Sequence, residues 1–596
     1  MKGSLTWGVL MATLLVNPAL SREARPQRHT ASARQTNVQT ESARDVAAAS
    51  ALARAFEYAQ LASLSASTIA LNTATILSGR QDTQVARLEE QRRAALQKLA
   101  TVERAFEAAL LTPDSAAPLA KLRANREDVL AEIAAIERAV VRADPAFAEL
   151  VRPDAVTLKT VQALLDDDEV LLLLYTAPAG TYSFCVTRRR AGWVFASDLG
   201  QAAMTDAVGT MRNAIRRQIQ QAGQANAPSA FHGSNRDLLA DEGTQIHDGL
   251  IAPHAGMMAG KARVLAVIHG PLASLPLGLV SSGIGKDGTP RWFADQYLIG
   301  ILPAVATLRS ARCLGRNLPV RETACGVSSA KAGNILPAAK ARTQTPSIGF
   351  LGVGDPSLGP PGDQRSRGDW DGLGGKTIHG DWLGRGMANS AMLASLPSLP
   401  GTRRELTAAA AAFGPAQSRL MLQREAQEQP VRSMLNTSGA RFIAFATHGL
   451  LASQSGGLAE PGLVLSPLVD GLVPASGAED GYLSASEIAQ LRLRGAVVVL
   501  SACNTATSEN MSAARNLNTL ARAFEYAGAR LVIATHWPVS DEATATLISA
   551  FFRNLAADRN QAPDIALQKA ELELRRDPRW ASPAFWAPFS VIGVAR

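Results

Sequence analysis

A chain of 596 residues is too long for one ordinary hydrophobic core and calls for two or three folded units. Hydrophobic residues at 47% against 19% charged exclude a disordered polymer, and four cysteines are too few for a disulfide framework. The formal charge of +8 is dispersed along the chain rather than gathered in a basic stripe, so no nucleic-acid partner is expected.

Lys2, the apolar run Leu5 to Val16 and the small-residue site Ala19-Leu20-Ser21 read as a signal peptide over residues 1–21, which predicts a periplasmic or extracellular protein. That run is too short to cross a bilayer, and no later segment has 18 uninterrupted apolar residues, so no membrane span is expected in the mature chain. Residues 22–45 are polar and Arg-rich and read as a flexible spacer.

Between 46 and 150 the pattern is helical. Val85, Leu88, Ala95, Leu99, Val102, Phe106 and Ala109 form one stripe, and Leu119, Leu122, Val129, Ile133, Ile136 and Val140 form a second after the break Thr112-Pro113-Asp114-Ser115. The two predict an antiparallel helical hairpin that could serve a protein partner. The octapeptide Leu-Ala-Arg-Ala-Phe-Glu-Tyr-Ala occurs at 52–59 and again at 520–527, but its flanks differ and no sustained repeat follows.

From residue 155 to 596 apolar runs alternate with helical patterns. Val170 to Tyr175 and Tyr182 to Val186 predict a β-hairpin. Five further runs follow: Val264 to Ile268, Ile348 to Val353, Phe442 to Ala446, Val497 to Leu500 and Leu531 to Ala534. Unbroken apolar strands separated by helices predict an α/β fold whose mostly parallel sheet is covered on both faces. Ser484-Ala485-Ser486-Glu487 carries a capping-box signature for one helix. The stretches 326–347, 356–392 and 453–482 are too long for simple connectors and read as surface loops or flaps.

In such sheets chemistry gathers beyond the carboxyl ends of the strands. Phe442 to Ala446 leads into Thr447-His448-Gly449, and Val497 to Leu500 leads into Ser501-Ala502-Cys503-Asn504-Thr505. Were the two strands parallel neighbours, an imidazole and a thiol would share one edge. A free cysteine, with a pKa near 8.5, is mostly protonated at neutral pH, and an adjacent imidazole can take that proton. The N–H groups of Gly449 and Cys503 would then form an oxyanion hole. Asp355, Glu487, Glu509 and Asp541 are candidates for an acidic substrate pocket, each with a rival role as cap or loop carboxylate. His536 competes for the base role and is assigned a structural or pocket-lining part, while His269 with Gly270 reads as a turn. Two ligands cannot close a tetrahedral site, so neither metal nor cofactor is expected.

Taken together, Ala446-Thr447-His448-Gly449, Leu483-Ser484-Ala485-Ser486-Glu487-Ile488, Leu500-Ser501-Ala502-Cys503-Asn504-Thr505, His536-Trp537-Pro538-Val539 and Phe585-Trp586-Ala587-Pro588-Phe589 resemble, in order, the motifs of the CHAT family of caspase- and separase-like cysteine peptidases. The resemblance covers roughly residues 155–596. It implies a caspase-like α/β/α sandwich, a catalytic dyad of His448 and Cys503, and cleavage of protein or peptide substrates. The chain departs from many family members in lacking a long tetratricopeptide array. The rival expectation is a catalytically silent scaffold that binds a partner. Cys313 and Cys325 could bridge in an oxidising compartment.

Overall fold

The computed structural model describes residues 49–63, 116–143, 155–222, 234–286, 288–314, 348–358, 398–450, 461–467, 479–501, 512–537, 541–558 and 560–595, with isolated positions within 84–102 and 383–396. The segments read as signal peptide and spacer lie outside the described residues, as do Cys325, Cys503 and Glu509.

Eleven strands form one sheet: β1 Glu169–Ala177, β2 Gly180–Val186, β3 Ala191–Ala196, β4 Arg263–His269, β5 Leu298–Ile301, β6 Phe350–Gly354, β7 Ser418–Leu422, β8 Phe442–Ala446, β9 Val497–Leu500, β10 Leu531–Thr535 and β11 Phe589–Gly593. Their order across the sheet is β7-β6-β8-β9-β10-β11-β5-β4-β1-β2-β3. Strands β7, β6, β8, β9 and β10 run parallel to one another. β11 is antiparallel to β10 but parallel to β5, and β5, β4 and β1 continue in that reversed sense. Two parallel sets of opposite direction therefore meet at β11.

The expected α/β architecture is present, and its cause is visible in the side chains. Val497 to Leu500 and Phe442 to Ala446 are buried at every position, as strands packed on both faces must be. One face is covered by helices Gln201–Ala222, Ser234–Leu250, Pro400–Phe413, Asp541–Ala557 and Pro563–Leu574, whose Leu239, Leu406, Phe551 and Leu567 join strand residues such as Leu172, Ala444 and Val499 in one core. On the other face Phe524 of helix Ser512–Tyr526 meets Phe445 of β8 with ring centres 5.7 Å apart.

Helix 49–63 covers the same face over the reversed strands, with Phe56 against Phe184 of β2 at 5.8 Å. Both copies of the octapeptide thus bury the same three positions, Ala55, Phe56 and Ala59 in one and Ala523, Phe524 and Ala527 in the other. The side-chain amide of Gln60 donates to the Val156 carbonyl at 2.9 Å and accepts the Val156 N–H at 2.9 Å, pairing with that residue as another peptide would. Within the region 84–143, helix Ala116–Ala143 buries Ile133 and Val140, Ala95 is buried, and Lys98 bonds Glu132 at 3.1 Å.

The predicted hairpin is the β1–β2 pair, joined at Pro178-Ala179. Four strands escaped the sequence reading. β3 is a half-exposed edge, β7 an edge of mixed burial, β5 only four residues long, and β11 enters antiparallel from an aromatic segment without a branched run. The stretch 453–482, expected to be loop, contains strand Gly462–Val464, which pairs with Gly449–Leu450 and Tyr482–Ser484 in a small antiparallel sheet. Three residues are too few for an alternation signal. Among the described residues no helix is long and apolar enough to cross a membrane.

Candidate active site

β8 and β9 are parallel neighbours, with Phe445 opposite Leu500. The Ser501 N–H donates to the Phe445 carbonyl at 2.8 Å, so the chain leaving β9 starts beside the chain leaving β8. Two residues past Ala446 stands His448, 4% exposed. Its carbonyl accepts the Val464 N–H at 2.8 Å, and the Thr447 hydroxyl donates to the Val464 carbonyl at 2.5 Å. These bonds fix the exit of β8 against the Gly462–Val464 strand. Because His448 and Val464 are bonded, ladder alternation places Gly449 opposite Leu463 in a non-hydrogen-bonded pair, with its N–H directed away from that strand.

Three residues at the same edge were not singled out from sequence as a group. Gly354 ends β6 so close to Ala446 that a Cβ would stand 2.2 Å from the Ala446 carbonyl oxygen. Asp355 and Gln423 follow β6 and β7 in the left-handed region, at φ 46° and 52°, a strained state for residues with side chains. Gln423 bonds the Asp355 carbonyl twice, through its N–H at 3.0 Å and its side-chain amide at 2.9 Å. The Ser466 hydroxyl donates to the Gln423 carbonyl at 2.6 Å and accepts the Ser357 N–H at 2.9 Å. Strand ends and hairpin are thereby tied into one frame.

The carboxylate of Asp355, a proposed pocket residue, is buried and held by Arg403, with its Nε and a terminal nitrogen both 2.7 Å from Oδ2. Glu487 closes the predicted capping box: one oxygen accepts from the Ser484 N–H at 3.0 Å and from its hydroxyl at 2.8 Å. Its other oxygen faces Arg432 at 3.4 Å, which also bonds Glu428 at 3.2 Å. Burial and the adjacent Glu487 push the Glu428 carboxyl up to about 9, so it is protonated at neutral pH. Asp541 opens helix Asp541–Ala557.

His536 lies inside the fold. Its Nδ1 is 3.2 Å from the Ser274 carbonyl and its Nε2 is 2.9 Å from the Ser590 hydroxyl, so the neutral ring donates through Nδ1 and accepts through Nε2. Burial lowers its pKa to about 4. His269 leaves β4, which runs opposite to β8, and stacks on Tyr175 at 4.9 Å. Gly270 follows at φ 111°, where a Cβ would meet Thr176 at 2.6 Å, and opens the turn into the short helix Pro271–Ser274. Burial lifts the free thiol of Cys185 to about 12, which leaves it inert, while Cys313 is disulfide-bonded. Among the described residues no group of three His, Cys, Asp or Glu could hold a metal ion.

No curated protein matches the sequence. Among solved structures, gingipain R, an Arg-specific cysteine proteinase, shares 9% identity over 65% of this chain and 74% of its own, with a TM-score of 0.33. A separase–securin complex from Saccharomyces cerevisiae gives 11% identity over 99% of this chain and 40% of that one, with a TM-score of 0.40. The complex of pro- and mature domains of RgpB from Porphyromonas gingivalis gives 9%, 64%, 75% and 0.33 in the same terms. The CHAT domain model matches residues 240–594, more than half of the chain, and the chain belongs to the CHAT domain family.

Proposed function

We propose that this chain is a cysteine endopeptidase that cleaves protein substrates through an acyl-enzyme on Cys503, with His448 as the base. The observation that carries the reading is the parallel pairing of β8 and β9, which brings the segments entering His448 and Cys503 out of one edge side by side. Membership of the CHAT family supports it.

The His448 imidazole takes the Cys503 thiol proton, and the thiolate attacks the scissile carbonyl. Charge that develops on the carbonyl oxygen is met by the N–H of Cys503 and by that of Gly449, whose direction away from Leu463 suits the task. Collapse of the tetrahedral intermediate breaks the C–N bond, and the imidazolium gives its proton to the leaving amine. Water then attacks the thioester, its proton passing through His448 back to the sulfur. Asp355 and Glu487 are already engaged by Arg403 and by the helix cap, so selection of a basic residue falls to Glu509 or Asp541 in this reading.

Export forms part of the proposal. It rests on the leader at residues 1–21 and agrees with a disulfide at Cys313, since such bonds persist in oxidising compartments. Labelling with an electrophilic peptide probe tests the enzyme. Native protein should label, Cys503→Ala should not, and His448→Ala should label about 10²-fold or more slowly while keeping its thermal midpoint. Equal labelling of native protein and Cys503→Ala removes the nucleophile.

A further inference from the structure

A small cavity of about 60 Å³ lies between helix Pro563–Leu574 and the first residues of β5 and β11, beside the end of β10. A single water needs about 10–15 Å³ of such space, so a head group of a few heavy atoms fits. Half-buried Tyr297 and Gln568 are among its lining residues, which leaves it reachable from solvent.

Among the described residues, one carboxyl beside it has no bonded partner. Asp564 is matched by Arg263, 2.7 Å away, and Asp295 by Arg575. Glu571, 9% exposed and lining the cavity, has a carboxyl with no hydrogen-bond partner among the described residues. Asp295 and Asp564 are thus paired, and Glu571 is the carboxyl left for a ligand. The remaining wall includes Trp586, Tyr297 and Phe589. Trp586 already carries the Arg575 guanidinium at 4.3 Å. Aromatic walls favour a cation with an alkyl stem over a bare metal ion.

We propose that this cavity binds a small primary ammonium ion, with Glu571 as its counter-ion. The inference does not depend on the peptidase reading. Burial pushes the empty-site carboxyl up to about 8, partly opposed by Arg575 and reinforced by Asp295, so it is protonated at pH 7. A bound ammonium favours the ionised form, and each binding event therefore releases close to one proton. Ser590 lines the cavity and bonds His536, so the occupant sits one hydrogen bond from the residue that follows β10.

The test uses the full chain with ethylammonium chloride, against sodium chloride at equal ionic strength and against ethanol as the neutral isostere. Ethylammonium should raise the thermal midpoint of the native protein beyond either control, and Glu571→Gln should lose that shift. Calorimetric titration at pH 7 in two buffers of different ionisation enthalpy should show the released proton. No shift in native protein, or an equal shift in Glu571→Gln, overturns the assignment. Should that variant fail to fold, native protein decides alone: ethylammonium binding without proton release sinks the counter-ion role.

Discussion

Gly354 and Ala446 touch where two parallel strands end, and the space for a side chain between them is nil: a Cβ would overlap the Ala446 carbonyl oxygen at 2.2 Å. Gly354→Ala must push β6 from β8 two residues before His448. The expected cost is about 1–3 kcal/mol in urea unfolding, the range for overpacking. Probe labelling should fall more than stability, because the displaced segment carries the proposed base. A variant as stable and as reactive as native protein would show that the contact is slack.

Arg263 and Asp564 form an ion pair with both side chains at most 4% exposed. Asp564→Asn leaves a buried guanidinium without its counter-charge and should cost about 3–5 kcal/mol. Replacing both partners with apolar residues should recover most of that loss. Chemical denaturation of single and double variants reads the difference, and a mild single variant would contradict a dry pair.

His536 is held neutral, with its folded pKa lowered from 6.5 to about 4. Between those values the unfolded chain binds the extra proton, so its contribution is full above pH 6.5 and is lost as pH falls towards 4. The window corresponds to roughly 3 kcal/mol. The stability advantage of native protein over His536→Gln should therefore shrink on acidification across that range. A constant difference from pH 7 to 4.5 would mean that the ring is solvated.

Gln60 satisfies both backbone groups of Val156. Gln60→Leu orphans them and should cost about 1–3 kcal/mol. It should also expose helix 49–63 to trypsin at Arg54 before the rest of the fold is cut. Unchanged proteolysis would show that Phe56 alone anchors the helix.

The strands buried on both faces were readable, because apolar runs such as Val497 to Leu500 have few other uses. So were the capping box and the neighbouring exits of β8 and β9, since loop residues beyond parallel strands announce themselves by position. Reversal of the sheet at β11 was not, because pairing direction is a tertiary property that Phe589 to Gly593 does not encode locally. The Gly354, Asp355 and Gln423 frame was hidden for a related reason. Its members lie far apart in the chain and meet only through backbone contacts, which side-chain pattern does not report.

The strand that unites the two directions of pairing is also the last of the eleven to be synthesised. β5 and β10 can be zipped together only after translation has passed Gly593, although residues 301 and 589 are distant in the chain. Contacts of such long range form slowly. Until that seam closes, the nascent protein holds two incomplete ribbons, each with an open edge beside it: one from β7 to β10, which leads into His448, and one from β5 to β3.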